Sequence, residues 1–160
     1  MVLSLGILNA QNNTANTNQQ GSNNMATQTQ TGADNNAMIY QGNFQGGWDQ
    51  NDGIANQTQT GDRNEGVINQ RSGSWGSGNT SEQTQIGDDN KAYTTMWNAA
   101  NYSWQYQLGD RNYTKVKIAG DGNMAYVNQI GNDNKAHTEL TGGVNNNWSQ
   151  TYQNGNSNIG

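Results

Sequence analysis

The chain has 160 residues, of which 30% are hydrophobic and 12% charged, with a formal net charge of −5 and neither cysteine nor proline. A mean hydropathy of −1.05 leaves too little apolar mass for an ordinary globular core and, taken alone, points to disorder. The missing cysteines exclude a disulfide framework or thiolate metal site, and the acidic balance disfavours nucleic acid and anionic membrane as partners. Low charge and absent proline argue against a disordered linker, and proline is avoided where every backbone N–H is needed for a ladder, the first sign of a sheet-built object.

In chain order, the first element is MVLSLGILNAQNNTA, a short apolar run ending at Leu8-Asn9-Ala10. It reads as the tail of a secretory signal cleaved after Ala10, although its basic start is missing. Residues 1–10 are therefore set apart as a leader remnant, 11–25 as an Asn/Gln-rich segment with an initial half-row Ala15-Thr17-Gln19, and 26–160 as a repeat array. No other stretch is apolar enough to span a bilayer, so no membrane insertion is expected.

The array repeats one polar unit, QxGxxNxA. Clear copies are Gln19-Gly21-Asn24-Ala26, Gln30-Gly32-Asn35-Ala37, Gln85-Gly87-Asn90-Ala92 and Gln129-Gly131-Asn134-Ala136. Altered copies are Gln59-Gly61-Asn64-Gly66, Gln107-Gly109-Asn112-Thr114 and Gln153-Gly155-Asn158-Gly160. Degenerate copies at Ser74-Gly76-Asn79-Ser81, Met96-Asn98-Asn101-Ser103 and Ile118-Gly120-Asn123-Ala125 lie between them, giving a period of 22 built from two similar halves. Gly and Asn tolerate the left-handed region that a tight reversal needs, and the Asn amide can also bond to nearby backbone; an alternating run of about five residues follows each reversal, as in a short strand. Extra residues, roughly 42–50 and 71–76, fall in the degenerate arch. They should protrude from one edge and make the first rows stack less regularly.

Alternation assigns the faces. One strand type reads Ala26-Gln28-Gln30, Ala55-Gln57-Gln59, Ser81-Gln83-Gln85, Ser103-Gln105-Gln107, Ala125-Val127-Gln129 and Ser149-Thr151-Gln153. The other reads Ala37-Ile39-Gln41, Gly66-Ile68-Gln70, Ala92-Thr94-Met96, Thr114-Val116-Ile118 and Ala136-Thr138-Leu140. These sets resemble one another from row to row while the residues between them do not, so the regular face is expected inside. In-register stacking then builds internal Gln columns, in which each amide donates to one neighbour and accepts from the other, the ladder that stabilises cross-β stacks.

Seven recognisable QxGxxNxA copies over residues 13–160 make the chain resemble the curlin family of bacterial functional amyloids. The resemblance implies an all-β, left-handed β-solenoid of strand-arch-strand repeats. It implies a secreted, non-enzymatic structural protein that polymerises with itself into extracellular curli-type fibres of a biofilm matrix at the cell surface. A nucleator subunit and a curli-type outer-membrane secretion channel are the implied partners, and no cofactor or metal is implied. Repeats that run to the C-terminus without a divergent basic last repeat favour the major fibre subunit over the minor nucleator. The half-row Ala15-Thr17-Gln19 and the opposite half-row Ser149-Thr151-Gln153, closed by an arch that leads nowhere, are expected polymerisation edges, because uncapped solenoid ends template addition.

Other function classes have weaker support. Thr27-Gln28-Thr29 and Thr58-Gln59-Thr60 resemble the outward Thr pairs of ice-binding solenoids, but the outward column Thr29, Thr58, Thr84, Tyr106, Asn128 loses its Thr plane after three rows. The GDRN and GDDN turns carry Asp as calcium turns do, yet Arg63 and Arg111 place cations there. His137 is the sole histidine and has no nucleophile nearby in sequence. Outward Tyr93, Trp97, Trp104, Tyr106, Tyr113 and Tyr126 suit either fibre bundling or carbohydrate adhesion, or else cross-strand pairing.

Overall fold

Each short run between GxxN reversals offers a small or β-branched residue and an amide on one face and mixed polar or aromatic residues on the other. That pattern suits a strand in a stack and gives no helical stripe. The computed structural model describes residues 2–5 as backbone, and residues 12–42, 50–71, 78–141 and 145–160 in full. The described residues form strands and arches, with no helix among them.

Two parallel sheets face each other. Odd-numbered strands make the first: β1 (Val2–Leu5), β3 (Met25–Thr31), β5 (Ile54–Thr60), β7 (Thr80–Ile86), β9 (Tyr102–Leu108), β11 (Met124–Ile130) and β13 (Trp148–Asn154). Even-numbered strands make the second: β2 (Thr14–Gln19), β4 (Asn36–Gln41), β6 (Glu65–Arg71), β8 (Lys91–Trp97), β10 (Tyr113–Ala119) and β12 (Lys135–Leu140). The chain alternates between sheets and climbs one row with every pair of strands, which is a β-solenoid. Each strand pairs with the strand two places along in sequence.

The period of 22 holds only for the middle of the chain. Successive residues of one internal Gln column are separated by 29, 26, 22, 22 and 24 positions. Beyond β2, the longer connections, 42–53, 72–79 and 141–147, all run from the even to the odd sheet. The extra residues therefore do share one edge, although most of them, including Ser74 and Gly76 of one degenerate copy, lie outside the described residues.

The expected irregularity of the first rows is absent. β3 pairs β5 with Ala26 on Ala55, Gln28 on Gln57 and Gln30 on Gln59, the same alignment that joins β9 to β11. The inward set fixes register, because a slip of one residue would turn every side chain to the other face. Extra length is taken up in the arch.

The face assignment is upheld throughout rows 26–140. Ala37, Ile39, Ala55, Ile68, Met96, Val116, Ile118 and Val127 are buried, together with the inward Gln, Ser and Thr residues; only Gln28 and Leu140 of this set are partly exposed. Apolar packing is split into a small early cluster around Ile39 and Ile68 and a larger late one around Met96, Val116, Ile118 and Val127. Amides fill the space between.

Candidate functional site: amide columns and open edges

The first column runs Gln30, Gln59, Gln85, Gln107, Gln129, Gln153, each Nε2 donating to the next Oε1 at 2.7–3.0 Å. The second runs Gln28, Gln57, Gln83, Gln105 at 3.0 Å per link. The spare amide hydrogens reach strand carbonyls of the facing sheet, as from Gln59 to Asn36 O and from Gln85 to Glu65 O. A buried amide left alone is costly, and here nearly every donor has a partner.

A third column was only partly legible from the repeat. Gln19 donates to Gln41 at 2.7 Å and Gln41 to Gln70 at 2.8 Å, after which Met96, Ile118 and Leu140 continue the same line without an amide. The column ends cleanly because Gln70 turns its amide to the Ile54 and Asn79 carbonyls.

The motif Asn bonds to backbone through its amide as expected but does not take the left-handed conformation. Positive φ falls on the Gly and on the residue just before the Asn, such as Asp34, Arg63, Asp89, Arg111 and Asp133, while Asn35, Asn64, Asn90, Asn112 and Asn134 are absent from that set. Asn contributes its side chain. Asn64 Nδ2 donates to Gly87 O at 2.7 Å and its Oδ1 accepts from Asn90 N at 3.0 Å, and the same pair of bonds recurs up the column to Asn134, whose partners are Gly155 O and Asn158 N. Asn13 begins this column by accepting from Asn35 N, so the 11–25 segment is already part of the stack.

Arch glycines have a second constraint besides φ. A Cβ built on Gly87 would overlap the Gly109 carbonyl oxygen of the next row, and the same clash recurs at Gly32, Gly61, Gly109 and Gly131. On the opposite edge, where Gly21 and Asn24 of the first clear copy sit, Gly53 takes an Asn place. Gln50 fills the gap: it is fully buried, and its Oε1 accepts from Asn79 at 3.0 Å. The last residue of the first insertion therefore belongs to the arch and does not protrude, and no local signal in the sequence marked it.

Asp62, Asp88 and Asp110 each accept the backbone N–H of the arch in the preceding row, at 2.8–2.9 Å. The residue after the Gly is thus a stitch between rows. On the surface, Arg63 makes a two-bond pair with Asp89 and Arg111 with Asp133, and Lys117 pairs with Glu139. These cations hold the three carboxyls below the usual range, chiefly through the hydrogen bond itself. Burial pushes the Tyr93 and Tyr102 hydroxyls up, Tyr93 with help from a hydrogen bond to Glu65.

The outward aromatics pair across rows: Tyr93 with Tyr113 at 5.7 Å, Tyr102 with Tyr126 at 5.5 Å and Tyr126 with Trp148 at 6.4 Å between ring centres. Trp104 and Tyr106, two apart on β9, stack at 5.8 Å. Such pairs stiffen the sheet surface.

Both ends are open. β2, which carries Ala15, Thr17 and Gln19, is the outer strand of the even sheet, and β13, which carries Ser149, Thr151 and Gln153, is the outer strand of the odd sheet. Two details differ from the expected half-rows. The last arch, Gly155 to Asn158, leads back to the even sheet, where Ile159 bridges Lys135 and Gly160 O accepts from His137 N. At the other end, Val2–Leu5 lies parallel along Met25–Gln28, so β1 sits where the odd sheet would otherwise begin with β3.

Comparison with family models, curated proteins and solved structures found no match to this chain.

Proposed function

We propose that the chain is a secreted, curlin-type structural subunit that polymerises head to tail into extracellular amyloid fibres of a biofilm matrix. The observation that carries this reading is the stack itself. In-register parallel strands enclose an internal amide column from β3 to β13, and among the described residues β2 and β13 each present an edge with no strand paired to it. An exposed edge is a template for another chain, and a contact between two different ends repeats without closing. The major fibre subunit fits better than a nucleator, because the amide column continues without a break to Gln153. A nucleator subunit and an outer-membrane secretion channel are the proposed partners.

The test is self-assembly of purified protein without denaturant, followed by thioflavin fluorescence, electron microscopy and fibre diffraction. Seedable fibres with a strand spacing of about 4.8 Å are expected. A folded chain that stays monomeric at high concentration, with seeds added, would refute the proposal.

A further inference from the structure

The amide columns have a direction, and their two ends are complementary. Every link in the long column donates toward the later row, so Gln30 at its start has a buried Oε1 with no hydrogen-bond partner. At its finish Gln153, also buried, donates to Gln129 nothing and to Lys135 O one hydrogen, leaving its second amide hydrogen over. The even-to-odd arches match as well. Among the described residues, Asn24 receives no donor or acceptor from an earlier row, while Asn147 ends the Asn79, Asn101, Asn123 line and accepts nothing at its Oδ1.

Strand numbers decide how two copies fit. The odd sheet has seven strands and the even sheet six. If β1 of one copy stacked on β13 of another, the even sheet would lack a strand between β12 and the next β2, with only the Ile159 bridge at that level. If β13 stacks directly on β3, each copy contributes six strands to each sheet, and both continue once Asn158–Gly160, which now hold Lys135 and His137 on the β12 edge, give way to the neighbour's β2. β13 and the neighbour's β2 then make up one row.

We infer that the β3 edge is the docking surface for β13 of a second copy of this chain, and that β1 occupies that place until it is exchanged. This rests on the self-assembly reading and adds the register and the competitor. Continuing the established alignment puts Trp148 on Met25, Ser149 on Ala26, Thr151 on Gln28 and Gln153 on Gln30, because β13 lies on β11 with Ala125 opposite Ser149 and Gln129 opposite Gln153. Gln153 Nε2 then donates to the orphaned Gln30 Oε1. Asn147 stands to Asn24 as Asn101 stands to Asn123, accepting its backbone N–H.

The exchange favours β13 on three counts. β1 is a four-residue strand that reaches only to Gln28, whereas β13 has seven residues and reaches Thr31. β13 brings Gln153 to the long Gln column at the level of Gln30, which β1 does not reach. Trp148, 65% exposed, and Tyr152, 58% exposed, gain neighbours in Met25, 40% exposed, and Thr29. An added strand held by backbone bonds and by alternate side chains is the usual logic of strand addition.

Two measurements test this. In hydrogen exchange, the amides of residues 2–5 in the intact chain should be protected in the monomer and unprotected in fibres; protection retained in the fibre would overturn the exchange. In seeded growth, a chain starting at Gln11 should elongate several-fold faster than the intact chain on the same seeds, and Gln30→Leu in that shorter chain should slow it again. Equal rates for intact and shortened chains refute the inference while leaving fibre formation standing. Failure of both chains to form fibres removes both.

Discussion

Replacing Gln85 with Leu breaks the long amide column at its centre. The residue is buried, accepts from Gln59 at 2.8 Å and donates to Gln107 and to Glu65 O at 3.0 Å. Leucine of similar size leaves one Gln59 N–H and the Gln107 Oε1 without partners. Each orphaned buried group costs about 1–3 kcal/mol, so the pair costs roughly 2–6 kcal/mol, from which burial of the leucine recovers up to about 2 kcal/mol. The middle of these ranges leaves a net loss of about 3 kcal/mol, a large part of the 5–15 kcal/mol typical of folded domains. The sharper expectation concerns additivity. Gln85→Leu with Gln107→Leu still leaves two orphaned ends, now Gln59 N–H and Gln129 Oε1, because the gap has widened without multiplying. Urea unfolding followed by circular dichroism, at concentrations where the chain is monomeric, should give nearly the same midpoint for the double variant as for the single one. Costs that simply add, or a single variant as stable as the parent, would show that the amides are not acting as a column.

Gly87→Ala and Gly78→Ala separate strain from collision. Both sites have positive φ, but only Gly87 would drive its Cβ into the next row's carbonyl, whereas a Cβ built on Gly78 would meet nothing within 4 Å; Gly78→Ala should lose about 1–2 kcal/mol and Gly87→Ala distinctly more, read from urea midpoints. Stability should fall in acid. Asp89, Asp133 and Glu139 have depressed folded-state pKa values, so their contribution is present above the ordinary carboxyl range near pH 4 and is lost as pH drops through the folded values. The effect is small because the pairs are exposed, and Arg63→Met with Arg111→Met should flatten the acid limb of a stability-against-pH curve. Trp104→Thr with Tyr106→Thr removes a stacked pair from the surface. If those rings serve only sheet stiffness, thermal stability drops while fibre bundling and carbohydrate binding stay unchanged, and a loss of either binding would assign them a contact role.

Much of the stack was legible because the constraint that builds it repeats. Ala26, Ala55, Ser81, Ser103 and Ala125 had to be small, and Gln30 through Gln129 had to be amides, so the row alignment and the buried face could be read by eye. The arches were less legible. The sequence marks Asn35 or Asn90 as a turn residue with two roles, an amide for the backbone and a left-handed conformation; tertiary contacts use the amide, across rows, and place the left-handed backbone one residue earlier. Gln50 escaped for the opposite reason. It substitutes for an Asn that Gly53 lacks, from three positions away, which no fixed spacing encodes. The pairing of Val2–Leu5 with β3 was also unreadable, because a four-residue apolar strand shares none of the motif's letters.

Beyond β2 the three longer connections all leave the same edge of the rows, while the other edge turns at Gly32, Gly61, Gly87, Gly109 and Gly131, which admit no side chain. One edge of the solenoid is therefore permissive to length and the other is not. In a fibre with six rows per copy, each about 4.8 Å thick, any peptide spliced into residues 43–49 or 72–77 would recur along a single line roughly every 29 Å, six times that spacing. The molecule then provides a ruled rail for display, with its graduations set by the strand stack and its cargo confined to one side.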